Sequence, residues 1–175
     1  MKAPKSVRVA LLTAASLLVG ATTVYAATAT VTSSIRFLTH ITITQNTAPN
    51  FGNVSSGVGD TFTLSTAGVV TDTAAGAHLE GGTTAAGDYT VVASTNQAIG
   101  IYADGYTTDG SSTAQAATCK YAAGSSVTCD GVGNQVTIAT PAASATLKVG
   151  LQIVTTGGTD GVTEQPAMTL HVVYQ

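Results

Sequence analysis

The stretch MTLHVVYQ, residues 168–175, alternates between apolar and other side chains from one residue to the next. Side chains two residues apart on a β-strand point to the same face of the sheet. One face of such a strand would carry Met168, Leu170, Val172 and Tyr174, and the residues between them would occupy the other face. The stretch therefore predicts a β-strand with one face in an apolar core.

The composition of the remaining chain also favours strands. Of the 175 residues only 9% are charged, 19 are Gly and none is Trp, while Thr, Val, Ala and Ser are abundant. Thr and Val suit pleated, half-buried surfaces, and Gly-rich clusters mark the turns between them. Strands are predicted at residues 61–64, 69–71, 89–93, 99–103, 135–139, 145–154 and 168–174. This pattern indicates an all-β fold, an antiparallel β-sandwich or barrel of about seven to nine strands.

The first 26 residues have the pattern of a secretory signal peptide. The basic residues Lys2, Lys5 and Arg8 precede an apolar run, residues 9–24, and the small-residue cleavage pattern VYA. An apolar run of about 16 residues is short for a membrane-spanning helix. We therefore expect a signal helix, cleavage directly after VYA, and export through the periplasm to the cell surface or the medium. No stable membrane insertion is expected after cleavage, and an uncleaved anchor is the alternative.

The chain beyond the signal peptide is acidic. Its cations are Arg36, Lys120 and Lys148, set against nine Asp and Glu residues, which gives a net charge of −6. Such a chain is repelled by phosphate backbones and by anionic lipid surfaces. Nucleic acid is therefore excluded as a partner.

Cys119 and Cys129 are the only cysteines. In an exported protein an even number of cysteines predicts disulfides, and this pair would close a short local loop. By the loop-entropy estimate, such a bond stabilises the fold by about 2–3 kcal/mol. A metal or redox pair is the alternative, although no His or third Cys lies near them in the sequence.

The sequence has no recognisable catalytic or cofactor-binding motif. The GSSV at residues 124–127 lacks the strand–turn–helix context of a nucleophile elbow, and the Gly-rich stretches lack the helix that phosphate binding needs. His40, His78 and His171 have no second histidine at a ligand spacing, so solvent-facing side chains are expected. The segment DGYTTDG, residues 104–110, resembles a calcium loop without its closing carboxylate. We therefore predict no enzyme activity, no cofactor and no metal site.

The chain after the signal peptide begins with an unusually long alternating stretch, residues 27–43. Its odd positions carry the apolar or small residues Ala27, Ala29, Val31, Ile35, Phe37, Ile41 and Ile43. Extended, the stretch would span about 55 Å, whereas a sandwich strand needs only about five or six residues. It is therefore either two consecutive strands or one strand preceded by an arm that reaches beyond its own domain.

Four short motifs carry a resemblance to a known family. PNFGNV at residues 49–54, DYTVVAS at 88–94, LKVGLQI at 147–153 and TLHVVY at 169–174 together resemble domain-of-unknown-function family 4402, whose members are secreted bacterial pilin-like β-domains. The resemblance covers nearly the whole chain after the signal peptide. The alternating C-terminal strand with a penultimate tyrosine, and the alternating arm near the start, also resemble subunits of chaperone–usher fimbriae.

The resemblance implies an immunoglobulin-like or pilin-like sandwich, residues 38–175, that lacks its last strand and receives one by donation. It implies that residues 27–37 are the donor arm, with groove-filling side chains at Val31, Ile35 and Phe37. It also implies that a C-terminal assembly strand faces a neighbouring subunit or a periplasmic chaperone through Met168, Leu170, Val172 and Tyr174.

Two functions remain open at this point. The first is a non-enzymatic structural subunit that self-associates into a cell-surface filament or matrix by β-strand donation. The second is a self-contained secreted adhesin or binding module for a glycan or a protein, with its arm folded back onto its own sheet.

Overall fold

The computed structural model of the protein describes residue 30 and residues 32–74 and 76–175. Residues 36–175 form one compact unit by themselves. The expected signal peptide and Val31 lie outside the described residues, so those predictions stay open. The described residues include no helix of the length and hydropathy needed to cross a membrane.

Nearly all of the regular secondary structure in the described residues is β-strand, which confirms the predicted all-β sandwich. Every one of the seven strands predicted from the sequence overlaps an observed strand. The first seven strands are β1 (Thr42–Thr47), β2 (Asn50–Phe51), β3 (Asp60–Leu64), β4 (Val70–Asp72), β5 (Thr84–Ala85), β6 (Gly87–Val92) and β7 (Ile99–Asp104). The remaining six are β8 (Thr108–Asp109), β9 (Ser112–Tyr121), β10 (Val127–Thr128), β11 (Val136–Ile138), β12 (Ser144–Thr155) and β13 (Thr169–Tyr174). A short 3-10 helix, Val132–Asn134, precedes β11.

The larger sheet is organised around β12, its longest strand. One edge of β12 pairs first with β6 and then with β3, and its other edge pairs with β9. β1 extends the sheet beyond β6, and β4 extends it beyond β3. The short strands β8 and β10 pair with β9, and all these pairings are antiparallel. The strands β2 and β5 form a separate two-stranded pair.

The smaller sheet has three antiparallel strands in the order β11–β7–β13. β7 is its central strand, paired with β11 along one edge and with all six residues of β13 along the other. In that second pairing Thr169 lies opposite Asp104 and Tyr174 lies opposite Ile99. β13 is therefore an edge strand of this sheet.

The main core lies between the two sheets. The larger sheet contributes Val91, Ala117, Cys119, Leu147 and Val149, and the smaller sheet contributes Ile99, Ile101, Ala103 and Val172. Met168, Leu170 and Tyr174 pack against this cluster from β13 and the residue before it. All four residues of the predicted inner face of the C-terminal strand thus face the core.

The predicted disulfide is confirmed and lies in this core. Cys119 and Cys129 are joined, and their side chains are almost completely buried. Cys119 belongs to β9 of the larger sheet. Cys129 accepts a 2.7 Å hydrogen bond from the backbone N–H of Ala103, in β7 of the smaller sheet. The disulfide bond therefore ties β9 of the larger sheet to the segment at Cys129, which is hydrogen-bonded to β7 of the smaller sheet.

β9 contains a bulge at Ala116 that the sequence did not reveal. Ala116 has φ 46°, and the register with β12 shifts at this point. The freed backbone N–H of Ala117 donates to the hydroxyl of Tyr106 at 3.1 Å, and that hydroxyl donates to Asp130 Oδ1 at 2.7 Å. A buried N–H left without a partner is costly, so Tyr106 makes the bulge possible.

The alternating N-terminal stretch behaves differently from an unbroken strand. Residues 32–41 have no strand assignment, and β1 begins only at Thr42. β1 then continues through Gln45 and Asn46 to Thr47. Two of the predicted inward-facing side chains pack against the core, those of Ile41, directly before β1, and Ile43, within it.

Candidate functional site

An open apolar groove runs between the start of β1 and the end of β13. Its volume is about 630 Å³, and its lining residues are Leu38, Thr39, His40, Ile41, Ile43, Val172 and Tyr174. β1 belongs to the larger sheet and β13 to the smaller one. The groove therefore lies between one edge of the larger sheet and one edge of the smaller sheet.

One wall of the groove is the edge strand β13, and the other is formed by residues 38–41 and the start of the edge strand β1. β13 pairs with β7, β1 pairs with β6, and neither has a second partner among the described residues. The outer edge of each strand consequently presents backbone donors and acceptors that another strand can use. Proteins normally cover such edges, because uncovered ones promote association between chains.

The groove has an apolar floor and a polar lip. Ile41, Ile43 and Tyr174 pack against the core cluster, and Val172 belongs to it. Thr39 and His40 are exposed at the rim. This arrangement suits an extended segment that turns alternate apolar side chains inward while its backbone pairs with an edge strand.

Tyr174 closes one end of the groove through its hydroxyl. That hydroxyl accepts a 2.7 Å hydrogen bond from the backbone N–H of Ser94 and donates a 2.5 Å bond to the carbonyl oxygen of Thr39. The neighbouring backbone N–H of Gln175 donates to the carbonyl oxygen of Ala98 at 3.0 Å. The end of β13 is thus joined both to the root of β1 and to the β6–β7 loop.

The described side chains of the predicted donor arm are exposed. Ile35 is 78% exposed and Phe37 is 83% exposed, and Phe37 is not among the residues that line the groove of its own chain. Between them, Arg36 donates to Gln97 Oε1 at 2.9 Å and to the carbonyl oxygen of Asn96. Ile35 and Phe37 are therefore both unburied, and Phe37 does not line the groove of its own chain.

A second cluster of polar residues lies at the edge of the larger sheet formed by β3 and β4. Asp60, Asp72 and His78 place three potential metal-ligand atoms within 4.8 Å of one another. His78 Nδ1 lies 2.8 Å from Asp60 Oδ2, and the backbone N–H of His78 donates to Asp72 Oδ2 at 3.0 Å. Each carboxylate is already occupied by protein donors, so the cluster joins the β4–β5 loop to β3.

Asp60 is the buried member of that cluster. The hydroxyl of Thr73, the backbone N–H of Thr61 and the ring of His78 all bond its carboxylate. These bonds, the one from Thr73 most of all, lower the pKa of Asp60 to about 2 against the opposing effect of desolvation. Asp60 is therefore ionised at any pH at which the protein is expected to work, and the absence of a metal role remains a prediction.

The outer face of the smaller sheet carries an aromatic pair. The rings of Tyr102 and His171 stack with centroids 4.6 Å apart and planes 11° apart. His171 Nε2 also lies 2.8 Å from Asp104 Oδ1. His78 and His171 thus each have an aspartate partner, whereas the sequence pattern predicted histidines that simply face solvent.

The loop that resembled a calcium site uses its acidic groups elsewhere. Asp104 contacts His171, and Asp109 Oδ2 accepts a 2.6 Å hydrogen bond from the backbone N–H of Gln165. Glu164 similarly accepts from the backbone N–H and the hydroxyl of Ser111. The carboxylates of Asp109 and Glu164 hold the segment between β12 and β13 against the β8–β9 turn, which is a structural role.

Comparison with protein-family models, with curated proteins and with solved structures gives no match for this chain. Membership of family 4402 therefore stays a prediction from the sequence motifs. What the site can do must be argued from its own geometry.

Proposed function

We propose that this chain is a non-enzymatic structural subunit that self-associates by β-strand donation. In this proposal residues 27–37 of one copy lie in the groove between β1 and β13 of the next. The observation that carries it is the unpaired outer edge of β13 beside an apolar groove. An added strand would extend the three-stranded sheet to four and fill the groove between the two sheets.

The dimensions of the arm suit the groove. β13 has six paired residues, which extend over about 20 Å at ~3.3 Å each. An arm of 11 residues, extended, reaches about 36 Å on the same scale. The arm can therefore pair along the whole of β13 and still leave a short connection to its own domain.

The side chains of the arm suit the floor of the groove. Ile35 and Phe37 are two residues apart, so both point the same way when the arm is extended. Full burial of an apolar side chain of this size contributes about 1.5–3 kcal/mol. Phe37 is 83% exposed in the single chain, where its side chain contributes little burial free energy. In a donated strand the same side chain would be buried.

Donation from copy to copy would propagate from one subunit to the next. The donor arm and the acceptor groove are different surfaces, so the contact is heterologous and each added copy presents a new groove. Such an assembly grows as a filament. The expected signal peptide would place it at the cell surface, and a periplasmic chaperone that covers β13 during transit would prevent premature pairing. The pilin-like motifs support the same proposal.

A secreted binding module is the second candidate. The observation that favours it is the Tyr102–His171 stack beside Asp104 on the outer face of the smaller sheet. Aromatic rings next to a carboxylate suit the apolar faces and hydroxyls of a sugar. In this alternative the chain acts as a monomer and the groove is not an assembly site.

Loss of the arm's apolar side chains tests the proposal. The full chain should give a heat-sensitive ladder of oligomers on unboiled gels, and the double variant Ile35→Ser, Phe37→Ser should give monomers. The matched control is Val132→Ser with Val162→Ser, which removes two valines of 65% and 59% exposure outside the groove. A synthetic peptide of residues 27–37 should inhibit assembly of the unaltered chain. Monomers from the unaltered chain, or a ladder that survives the double variant, would reject strand donation.

A further inference from the structure

The chain leaves the groove at a fixed point. Thr39 lines the groove and is held there by Tyr174, whereas Phe37 points to solvent. Leu38 still lines the groove and Phe37 does not, so the chain leaves the groove between these two residues.

The residue before Phe37 holds this exit in place. One guanidinium nitrogen of Arg36 donates to Gln97 Oε1 at 2.9 Å and the other donates to the carbonyl oxygen of Asn96. The amide of Gln97 donates in turn to the carbonyl oxygen of Gln175, directly after β13. We call these four residues, Arg36, Asn96, Gln97 and Gln175, the Arg36 clasp.

The clasp opposes insertion of the arm into its own groove. To lie beside its own β13, the arm would have to reverse direction within residues 36–39, close to the point where Tyr174 holds Thr39. That reversal would pull Arg36 away from Asn96 and Gln97. The sequence Arg-Phe-Leu-Thr at these positions contains none of the Gly, Pro, Asn or Asp residues that tight turns favour.

The clasp is built from neutral acceptors. Arg36 bonds a side-chain amide oxygen and a backbone carbonyl oxygen, and no described acid lies within ion-pair distance of it. Hydrogen bonds from a charged donor are stronger than neutral ones. They do not rely on an opposite charge that salt would screen, so the contact is suited to variable ionic strength.

We infer that the Arg36 clasp is a positioning device that keeps the arm out of its own groove and presents it to a second copy of the chain. This inference rests on the proposed strand donation and adds the element that selects a neighbouring copy as the acceptor. Arg36 acts through the direction of the arm, and it contacts neither wall of the groove.

The test uses the full chain with a cysteine pair, Ser33→Cys and Ile43→Cys. Ser33 shares the parity of Ile35 and Phe37, and Ile43 lines the groove. A cross-link between chains reports donation to a neighbour, and a cross-link within one chain reports fold-back. The native cysteines do not interfere, because they are buried and bonded to each other. Non-reducing denaturing gels separate the two products.

The expected result depends on the residue at position 36. In the parent pair the cross-links join different chains. Arg36→Ala removes charge-assisted bonds and should lower the ratio of interchain to intrachain product about tenfold. Arg36→Lys keeps one charged donor and should give an intermediate ratio. Lys120→Ala, which removes a cation from β9, should match the parent.

The remaining outcomes separate a failure of the clasp from a failure of strand donation. An unchanged ratio in Arg36→Ala, with interchain product in the parent, overturns the role of the clasp and leaves strand donation in place. Loss of interchain product in Arg36→Ala without any intrachain product, and with a lower unfolding temperature, makes Arg36 a fold-stabilising residue and also overturns it. Absence of interchain product in the parent rejects strand donation itself, and the inference with it.

Discussion

The hydroxyl of Tyr174 donates a 2.5 Å hydrogen bond to the carbonyl oxygen of Thr39, 135 residues earlier in the chain. This bond joins the final strand of the smaller sheet to the root of the first strand of the larger sheet. The same hydroxyl accepts from the backbone N–H of Ser94. One side chain therefore links β13 to segments adjoining two strands of the larger sheet, β1 and β6.

Tyr174→Phe should lower the free energy of unfolding by about 1–2 kcal/mol, because two hydrogen bonds are lost while the ring is kept. Tyr174→Ala should cost more and should also lower the yield of folded protein on expression. Urea unfolding at neutral pH measures the first effect. Tyr102→Phe is the matched control, since the hydroxyl of Tyr102 has no hydrogen-bond partner among the described residues and its loss should cost little.

Ala116→Gly should stabilise the protein by about 0.5–1 kcal/mol. Ala116 has φ 46°, a conformation that Gly adopts without the steric penalty of a Cβ. Ala114→Gly, at a buried position of the same strand with an ordinary φ, should destabilise the protein. Thermal unfolding of the two variants provides the comparison, and a loss of stability in Ala116→Gly would contradict the bulge at this position.

Tyr106→Phe should destabilise the protein by about 1–3 kcal/mol, because the backbone N–H of Ala117 loses its acceptor in the bulge. Burial first, and then the bond to Asp130, raises the pKa of Tyr106 well above its ordinary value. Since the folded pKa is the higher one, this contribution is complete below the unfolded pKa of about 10 and is lost as the pH rises beyond it. The free energy of unfolding can be measured with urea at about pH 8, 9, 10 and 11. Its decrease over this range should be smaller in Tyr106→Phe than in the parent.

Asp60 should govern part of the acid stability. Bonds from Thr73, Thr61 and His78 lower its pKa from 3.8 to about 2. Because the folded pKa is the lower one, the contribution is present above the unfolded value and is lost as the pH falls through about 4 towards 2. Asp60→Asn should therefore destabilise the protein at pH 6 and reduce the loss seen on acidification. Asp160→Asn, at an exposed position, is the control and should leave the acid profile unchanged.

The sequence predicted those strands whose alternation is unbroken. The inner face of β13 follows directly from apolar residues at every second position from Met168 to Tyr174. β9 was missed, although it is the second-longest strand. Its composition is rich in Ala, and the bulge at Ala116 changes the parity, so Ala114 and Ala117 are both buried although three positions separate them. A search for strict alternation cannot detect such a strand.

The candidate site was predictable only in part. The pattern of residues 27–43 suggested an arm, and the alternation of residues 168–174 suggested its receptor strand. The groove itself depends on β1 and β13 lying at the edges of different sheets, which is a property of topology. The clasp between Arg36, Asn96 and Gln97, and the bond from Tyr174 to Thr39, join residues 60 or more positions apart. No local pattern encodes such contacts.

The central place of β12 has a consequence for the order of folding. β12 is the strand to which β6, β3 and β9 are each paired, so without it the larger sheet exists only as separate pieces. Residues 144–155 are synthesised after all three of the strands with which β12 pairs. The earlier strands therefore keep exposed edges until β12 is available. During this time long-range β-pairing is slow, and association with other chains competes with folding. Assembly of the larger sheet therefore starts only when β12 is available, and until then it competes with association between chains.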